Sequence, residues 1–288
     1  MNHNTPIIIN KFHHHYNQNT LGRDFVVGDI QGCYDQLMHM LKLLKFDSTV
    51  DRLFPCGDLI DRGPKSMECA NLVYEQHIHS VIGNHEQLMI GSLLYGRQDH
   101  ISCWIQNGGL WFKDEDLQLL RDIAEKFEQL PYVISIGKGK KRFNIVHAEL
   151  IRSGVDDQNN LMTTSDETID NWQFEPYHMH DMTWGRTIIS QYTDPKTWRL
   201  HNNPNAIKYQ SHHLSTTFVG HSIVPYPTQI EKQIYLDTGH VGAISQPEHI
   251  ASRKPLTIAS PNEQMFYQYR LPWRTINKLP FDQIKKYK

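Results

Sequence analysis

The chain of 288 residues holds four cysteines, Cys33, Cys56, Cys69 and Cys103, and no two of them stand at CxxC or zinc-ribbon spacing. That excludes a disulfide scaffold and a cysteine-built zinc fold, and it reads as the reduced thiols of a cytoplasmic protein. No apolar run approaches the roughly 18 residues that span a bilayer, and the first 20 residues lack an apolar stretch of signal-peptide length. Charge of one sign is also lacking. The 29 Lys and Arg stand against 31 Asp and Glu, and a net charge of -2 supplies no field for nucleic acid or an anionic membrane. There is no internal repeat. These absences leave a soluble protein whose partner is neither nucleic acid nor membrane, and whose length buries a core without staples.

What the chain has in excess is histidine, 18 residues, against otherwise ordinary composition. His13, His14 and His15 lie in a polar, Asn-rich leader, and residues 1–22 are predicted to be a flexible arm, with a short apolar staple at Ile7 to Ile9. Such a triplet can capture a stray metal ion, but a solvated tail is the plainer reading. Residues 23–288 are predicted to form one domain. From Phe25 onward, short apolar runs end in Gly-Asp or Gly-Asn and lead into helix-period segments, the pattern of βαβ units. Strands are predicted at Phe25 to Val27, Leu53 to Cys56 and Ser80 to Ile82, although Pro55 cannot donate to a ladder and sits awkwardly in a central strand. A helix from Met67 to His77, another from Gln87 to Leu94, an amphipathic helix through Leu117, Leu120, Ala124 and Phe127, and hairpins at 132–146 and 256–271 follow. The stretch from Ser153 to Asp181 is polar and aperiodic, and His178, His180 and Asp181 read there as part of a solvated loop.

In an open α/β sheet the functional crevice lies outside the carboxyl ends of the strands. Here those ends carry Gly28 and Asp29, Gly57 and Asp58, Gly83 and Asn84, then His147, Gly220 with His221, and Asp237. Oxygen donors mixed with imidazoles suit a divalent Mn, Fe, Zn or Mg ion, and the glycines let each donor turn into the crevice. A single Gly-Asp is usually only a turn. The joint occurrence points to a metal centre.

Gly-Asp-x-x-Gly at 28–32, Gly-Asp-x-x-Asp-Arg-Gly at 57–63 and Gly-Asn-His-Glu at 83–86 resemble the signature of the phosphoprotein phosphatase branch of the calcineurin-like metallophosphoesterases. Trp104, Asn107, Gly108 and Gly109, with Gln87 to Met89, are most similar to the bacterial and bacteriophage lambda-type serine/threonine protein phosphatases. The resemblance runs from Phe25 to Gly239 and implies a central β-sandwich of mixed sheets flanked by helices. It also implies a dinuclear centre, with Asp29 and Gln31 on one ion, Asn84, His147 and His221 on the other, and Asp58 bridging them. Two such cations, most simply manganese, give hydroxide at neutral pH and clamp a phosphoryl group for direct attack. His85 would protonate the leaving oxygen, with Asp61 holding its ring, while Arg62 and Arg186 grip the phosphate. Asp237 would brace the site without binding metal. The implied substrate is a phosphomonoester, foremost phosphoserine or phosphothreonine on proteins.

The chain departs from that pattern in places. Gln31 stands where lambda-type phosphatases have a histidine ligand, and this weaker, harder donor shifts preference from zinc toward manganese or magnesium. Ile82 replaces an arginine before Gly-Asn-His, and Glu149 follows His-Ala where Gly or Asp is usual. The Gln31 and Ile82 changes resemble the symmetrical diadenosine tetraphosphate hydrolases, which release ADP and are the alternative function. Asp61, Glu86 and the Asn-Gly-Gly motif weigh toward the protein-phosphatase side. A pseudophosphatase that binds without turnover is a third class, opposed by retention of His85 and Asp61.

Overall fold

The computed structural model describes all residues except 1, 2, 5, 7, 10, 153–163, 208–212, 245 and 288. Two mixed sheets stack face to face. Edge to edge, the larger runs Ile8–Ile9, His13–Tyr16, Val133–Ile136, Phe143–Val146, Thr216–Val219, Gln233–Tyr235, Thr228–Ile230 and Lys285–Tyr287. The smaller runs Thr275–Pro280, Met265–Arg270, Leu256–Ser260, Asp24–Val27 and Arg52–Pro55.

Alternation along the strands sorts side chains between layers. Val26 faces the other sheet with Phe54, Ile134, Ile145 and Phe218, whereas Phe25 and Val27 point outward to Leu37, Met40 and Leu88 of covering helices. In the larger sheet Ile134 and Ile136 point inward. Val133, Val146, Val219 and Tyr235 point outward against Ile169, Met182 and Ile188. The result is the expected α/β architecture, a β-sandwich flanked by helices. The helix Leu117–Glu128 shows how locally its parts are specified. Asp116 accepts from the Leu119 N–H at 2.8 Å to cap the first turn, and Leu120, Ile123, Ala124 and Phe127 form one buried stripe. No helix among the described residues is long and apolar enough to cross a membrane.

Several expectations need correction. Residues 13–16 are not part of a flexible arm. His13–Tyr16 pairs in parallel with Val133–Ile136 and antiparallel with Ile8–Ile9, inside the larger sheet. Polar composition misled because each buried imidazole gains a partner at Nε2: His13 Nε2 lies 2.9 Å from Ser135 Oγ, and His15 Nε2 donates to the Gly137 carbonyl at 2.8 Å. Of the predicted staple, Ile7 lies outside the described residues. The segment Ser80 to Ile82 is not a regular strand, and Pro55 explains why. Leu53 exchanges backbone bonds with His77 and His79 and the Pro55 carbonyl accepts from Val81, but Pro55 has no N–H for the bond between them. The ladder shrinks to a single bridge at Leu53 and Ile78. The helix predicted from Met67 to His77 stops at Ala70 and continues as a 3-10 turn over Asn71–Tyr74. The part of the polar middle at 153–163 lies outside the described residues. Beyond it, His178 is buried on the helix Pro176–Trp184, not in a solvated loop, and its Nδ1 accepts from the Glu175 N–H at 2.9 Å.

Candidate metal centre and acid–base pair

The site is assembled where the carboxyl ends of strands from both sheets meet. Two bonds stitch the sheets together there: His147 Nδ1 donates to the Cys56 carbonyl at 2.7 Å, and the His221 N–H donates to Asp29 Oδ1 at 2.9 Å. The approach is close enough to require glycine. A Cβ on Gly57, which has φ +86°, would lie 2.8 Å from Gly83 Cα and 3.0 Å from His147 Nδ1. Gln31, Asp58, Asp61, Arg62 and His221 also hold positive φ, between 45° and 77°, an unfavourable backbone state for such residues and one that clusters at functional sites.

Asp58, His147 and His221 each place a donor atom within 4.8 Å of the others. His147 Nε2 lies 3.3 Å from Asp58 Oδ1 and 2.9 Å from Asn84 Oδ1, which is in turn 3.0 Å from His221 Nδ1. Because Nδ1 of His147 carries the proton given to Cys56, its Nε2 lone pair faces two oxygen acceptors. Protonating the ring does not resolve that conflict at neutral pH, since burial lowers the pKa of His147, and burial with His147 and Arg186 nearby lowers that of His221 to about 2. A divalent cation does resolve it, so the donor set fits the metal the rim was expected to hold. Burial alone would raise the pKa of Asp58, but His147, His85 and His221 outweigh it and hold the carboxylate below its ordinary range. Asp29 behaves oppositely: burial, Asp237 and Asp58 push it up, and its Oδ2 is buried without a hydrogen-bond partner. Asp237 is pushed up to about 6, chiefly by burial, and its Oδ1 accepts from Gly239 N–H at 2.8 Å.

His85 opens the next layer. Its Nδ1 is 2.5 Å from Asp61 Oδ2, and its Nε2 is 3.7 Å from Asp58 Oδ2. Burial opposes charging this ring, but Asp58 and Asp61 outweigh burial and raise its pKa. Asp61 is fastened on its other side by Trp104 Nε1 at 2.9 Å and Trp111 Nε1 at 2.6 Å.

Gln31, Asp58, Asn84, His85 and His221 line one cleft of about 600 Å³, together with Arg62 and Arg186. Asp29, His147 and Asp61 are buried behind that lining. All ten residues singled out in the sequence therefore converge. Three others were not assigned roles. Glu86 is fully buried and accepts from the N–H groups of Asp58, Leu59 and Gly83 at 2.8–2.9 Å, which shapes the Asp58 turn. Burial, then Asp58, pushes its pKa up to about 7. Glu149 accepts from Ile188 and Ile189 N–H at 2.8 and 2.9 Å and from Tyr235 hydroxyl at 2.9 Å, anchoring the turn that follows Arg186. Trp111 is the third. Glu86 was legible as the third residue of a helix, a capping position; the bonds of Glu149 and Trp111 cross tens of residues and leave no local signal.

Residues 25–225 match the calcineurin-like phosphoesterase family. The chain belongs to that family. This phosphoesterase is 32% identical over 218 residues to serine/threonine-protein phosphatase 2 of Salmonella typhimurium, covering 75% of the chain and 86% of that protein. It is 44% identical to the symmetrical bis(5'-nucleosyl)-tetraphosphatase of Pasteurella multocida, but over 72 residues, 24% of the chain and 26% of that protein. Its fold is similar to that of the cold-active protein-tyrosine phosphatase of a Shewanella species, with a TM-score of 0.50 at 16% identity, covering 94% of this chain and 83% of that one. Membership implies divalent metal ions and phosphoester hydrolysis as the chemistry.

Proposed function

We propose that this phosphoesterase removes phosphate from phosphoserine and phosphothreonine in proteins. The observation that carries the reading is the His85–Asp61 pair, held 3.7 Å from Asp58 in the same cleft as Arg62 and Arg186. The 32% identity to a protein named a serine/threonine phosphatase, over most of both chains, supports the substrate class.

Asp58, Asn84, His147 and His221 would hold one cation, and Asp29 and Gln31 a second that shares Asp58. Bound there, divalent ions supply Lewis acidity to phosphoryl oxygens and lower the pKa of water. The amide of Gln31 favours manganese or magnesium over zinc. The remaining work belongs to the protein. His85 Nε2 would carry the proton for the leaving oxygen, and the carboxylates of Asp58 and Asp61 favour the charged form of the ring. Asp61, clamped by two indoles, holds the ring by Nδ1. Arg62 and Arg186, both exposed on the cleft, bind the phosphate through planar forks.

Trp198, 79% exposed and lining the same cleft, favours a second reading in which a nucleobase stacks there and the substrate is diadenosine tetraphosphate. Ile82, which takes the place of a phosphate-gripping cation, is packed in the core in keeping with that alternative. Parallel assay of a phosphothreonine peptide and diadenosine tetraphosphate with added manganese separates the two. Release of phosphate from the peptide, lost on His85→Asn, is expected. Cleavage of the dinucleotide alone, to ADP, would transfer the assignment to that class, and no turnover of either at full metal occupancy would leave a binding protein.

A further inference from the structure

The histidine triplet in the leader is not used by the cleft, yet two of its members meet a carboxylate on the outer face of the larger sheet. His13 and His15, two apart on one strand, share a face and are 0% and 3% exposed. A donor nitrogen from each lies with an Asp170 oxygen in one group, all three atoms within 4.8 Å of one another.

The hydrogen bonds around the rings decide which nitrogens carry protons. The Ser135 hydroxyl gives its only proton to Asn144 Oδ1 at 2.7 Å, so toward His13 Nε2 at 2.9 Å it can only accept. His15 Nε2, 2.8 Å from the Gly137 carbonyl, must also be a donor. When the rings are neutral, both lone pairs therefore sit on Nδ1, and that of His15 lies on the side of Asp170. Burial keeps the rings neutral, lowering His13 to about 4. His15 Nδ1 is 3.8 Å from Asp170 Oδ1 and makes no hydrogen bond. That gap is near the roughly 3.4 Å edge of a tetrahedron around an ion with bonds of about 2.1 Å. Ring nitrogens tied to the protein on the far side of a metal-facing nitrogen are the usual support of a histidine ligand.

We propose that His13, His15 and Asp170 form a further divalent-metal site, separate from the cleft, for a borderline transition ion of the zinc type. Imidazole donors select such an ion over magnesium or calcium. Arg142 holds both oxygens of Asp170 at 2.7 and 3.0 Å, so the carboxylate reaches the ion through its remaining lone pairs, and the neighbouring charge makes binding weaker than in a closed structural site. The ion would fasten His13–Tyr16 to the helix Asp166–Asp170, and the side chain of Asp170, 37% exposed, leaves a way in.

Equilibrium dialysis of the full chain against zinc, followed by metal analysis, tests the site. His15→Gln and Asp170→Asn are each expected to bind one zinc equivalent fewer than the unmodified protein, while manganese-supported turnover of p-nitrophenyl phosphate stays within twofold. An unchanged zinc count in both variants would overturn the proposal, as would loss of turnover in proportion to the lost zinc. If His15→Gln does not fold, Asp170→Asn, on a partly exposed side chain, decides alone.

Discussion

Two places in this molecule bring two imidazoles and one carboxylate to a point, and they differ in everything around that point. At the cleft, Asp58 has His85 and His147 as its ion-pair partners, and Asn84 adds an oxygen beside the two rings. On the outer face of the larger sheet, Asp170 already satisfies Arg142, and the rings lean on Ser135 and Gly137. The donor set alone does not make a catalytic centre. A carboxylate without a permanent cation, an acid–base pair within reach and an open cleft separate the first place from the second.

The two places should respond most differently to loss of their carboxylates. Asp58→Ala is expected to abolish phosphoester turnover and cation binding at the cleft, exceeding the loss from any other single change, whereas Asp170→Asn leaves steady-state rates near normal. His85→Asn should follow with a loss of roughly 10²- to 10⁴-fold in kcat, at unchanged metal content. Because Asp58 and Asp61 raise the pKa of His85, activity should hold above pH 6.5 and fall as pH rises through the raised value; Asp61→Asn should move that alkaline limb to lower pH. A pH profile indifferent to Asp61 would overturn the proposed role of His85 as proton donor.

A smaller effect is expected through Glu149. Glu149→Ala frees the N–H groups of Ile188 and Ile189 and loosens the turn after Arg186, raising KM about tenfold with little change in kcat, on the order of 1.4 kcal/mol. In an Arg186→Ala background the same change should add nothing; an equal penalty in both backgrounds would assign Glu149 to the general scaffold. The smallest effect concerns stability, and its sign opposes that of His85. His13 is pushed down to about 4, so the fold disfavours its protonation. Its contribution is complete above the unfolded value near 6.5 and is lost as pH falls toward 4, at roughly 1.4 kcal/mol per pH unit or less. Urea midpoints between pH 7 and 4 measure it, and His13→Asn should flatten the slope.

The cleft was legible in the sequence because its donors sit where strands end and glycines punctuate, so local pattern and chemistry coincide. Helix signals such as Leu120, Ala124 and Phe127 were legible for the same reason, one period and one face, although Leu117, read with them, is exposed and Ile123 takes its place in the buried stripe. The errors arose where distant partners override local character. His13 and His15 read as solvated until Ser135 and Gly137, each 122 residues away, accept their protons. Pro55 flagged a difficulty correctly, but its consequence fell on the neighbouring segment and not on its own strand. Glu149 drew notice only as a departure, and its bonds to Ile188, Ile189 and Tyr235 give it a use that no short motif contains.

The position of His13–Tyr16 within the larger sheet bears on how this protein is handled. Trimming the Asn- and His-rich leader as dispensable would strip the ladder from Val133–Ile136, a fully buried segment rich in β-branched residues, and leave its backbone open on one side. An uncovered edge of that kind recruits strands from other molecules. A shortened version would therefore be prone to precipitate even with every catalytic group intact.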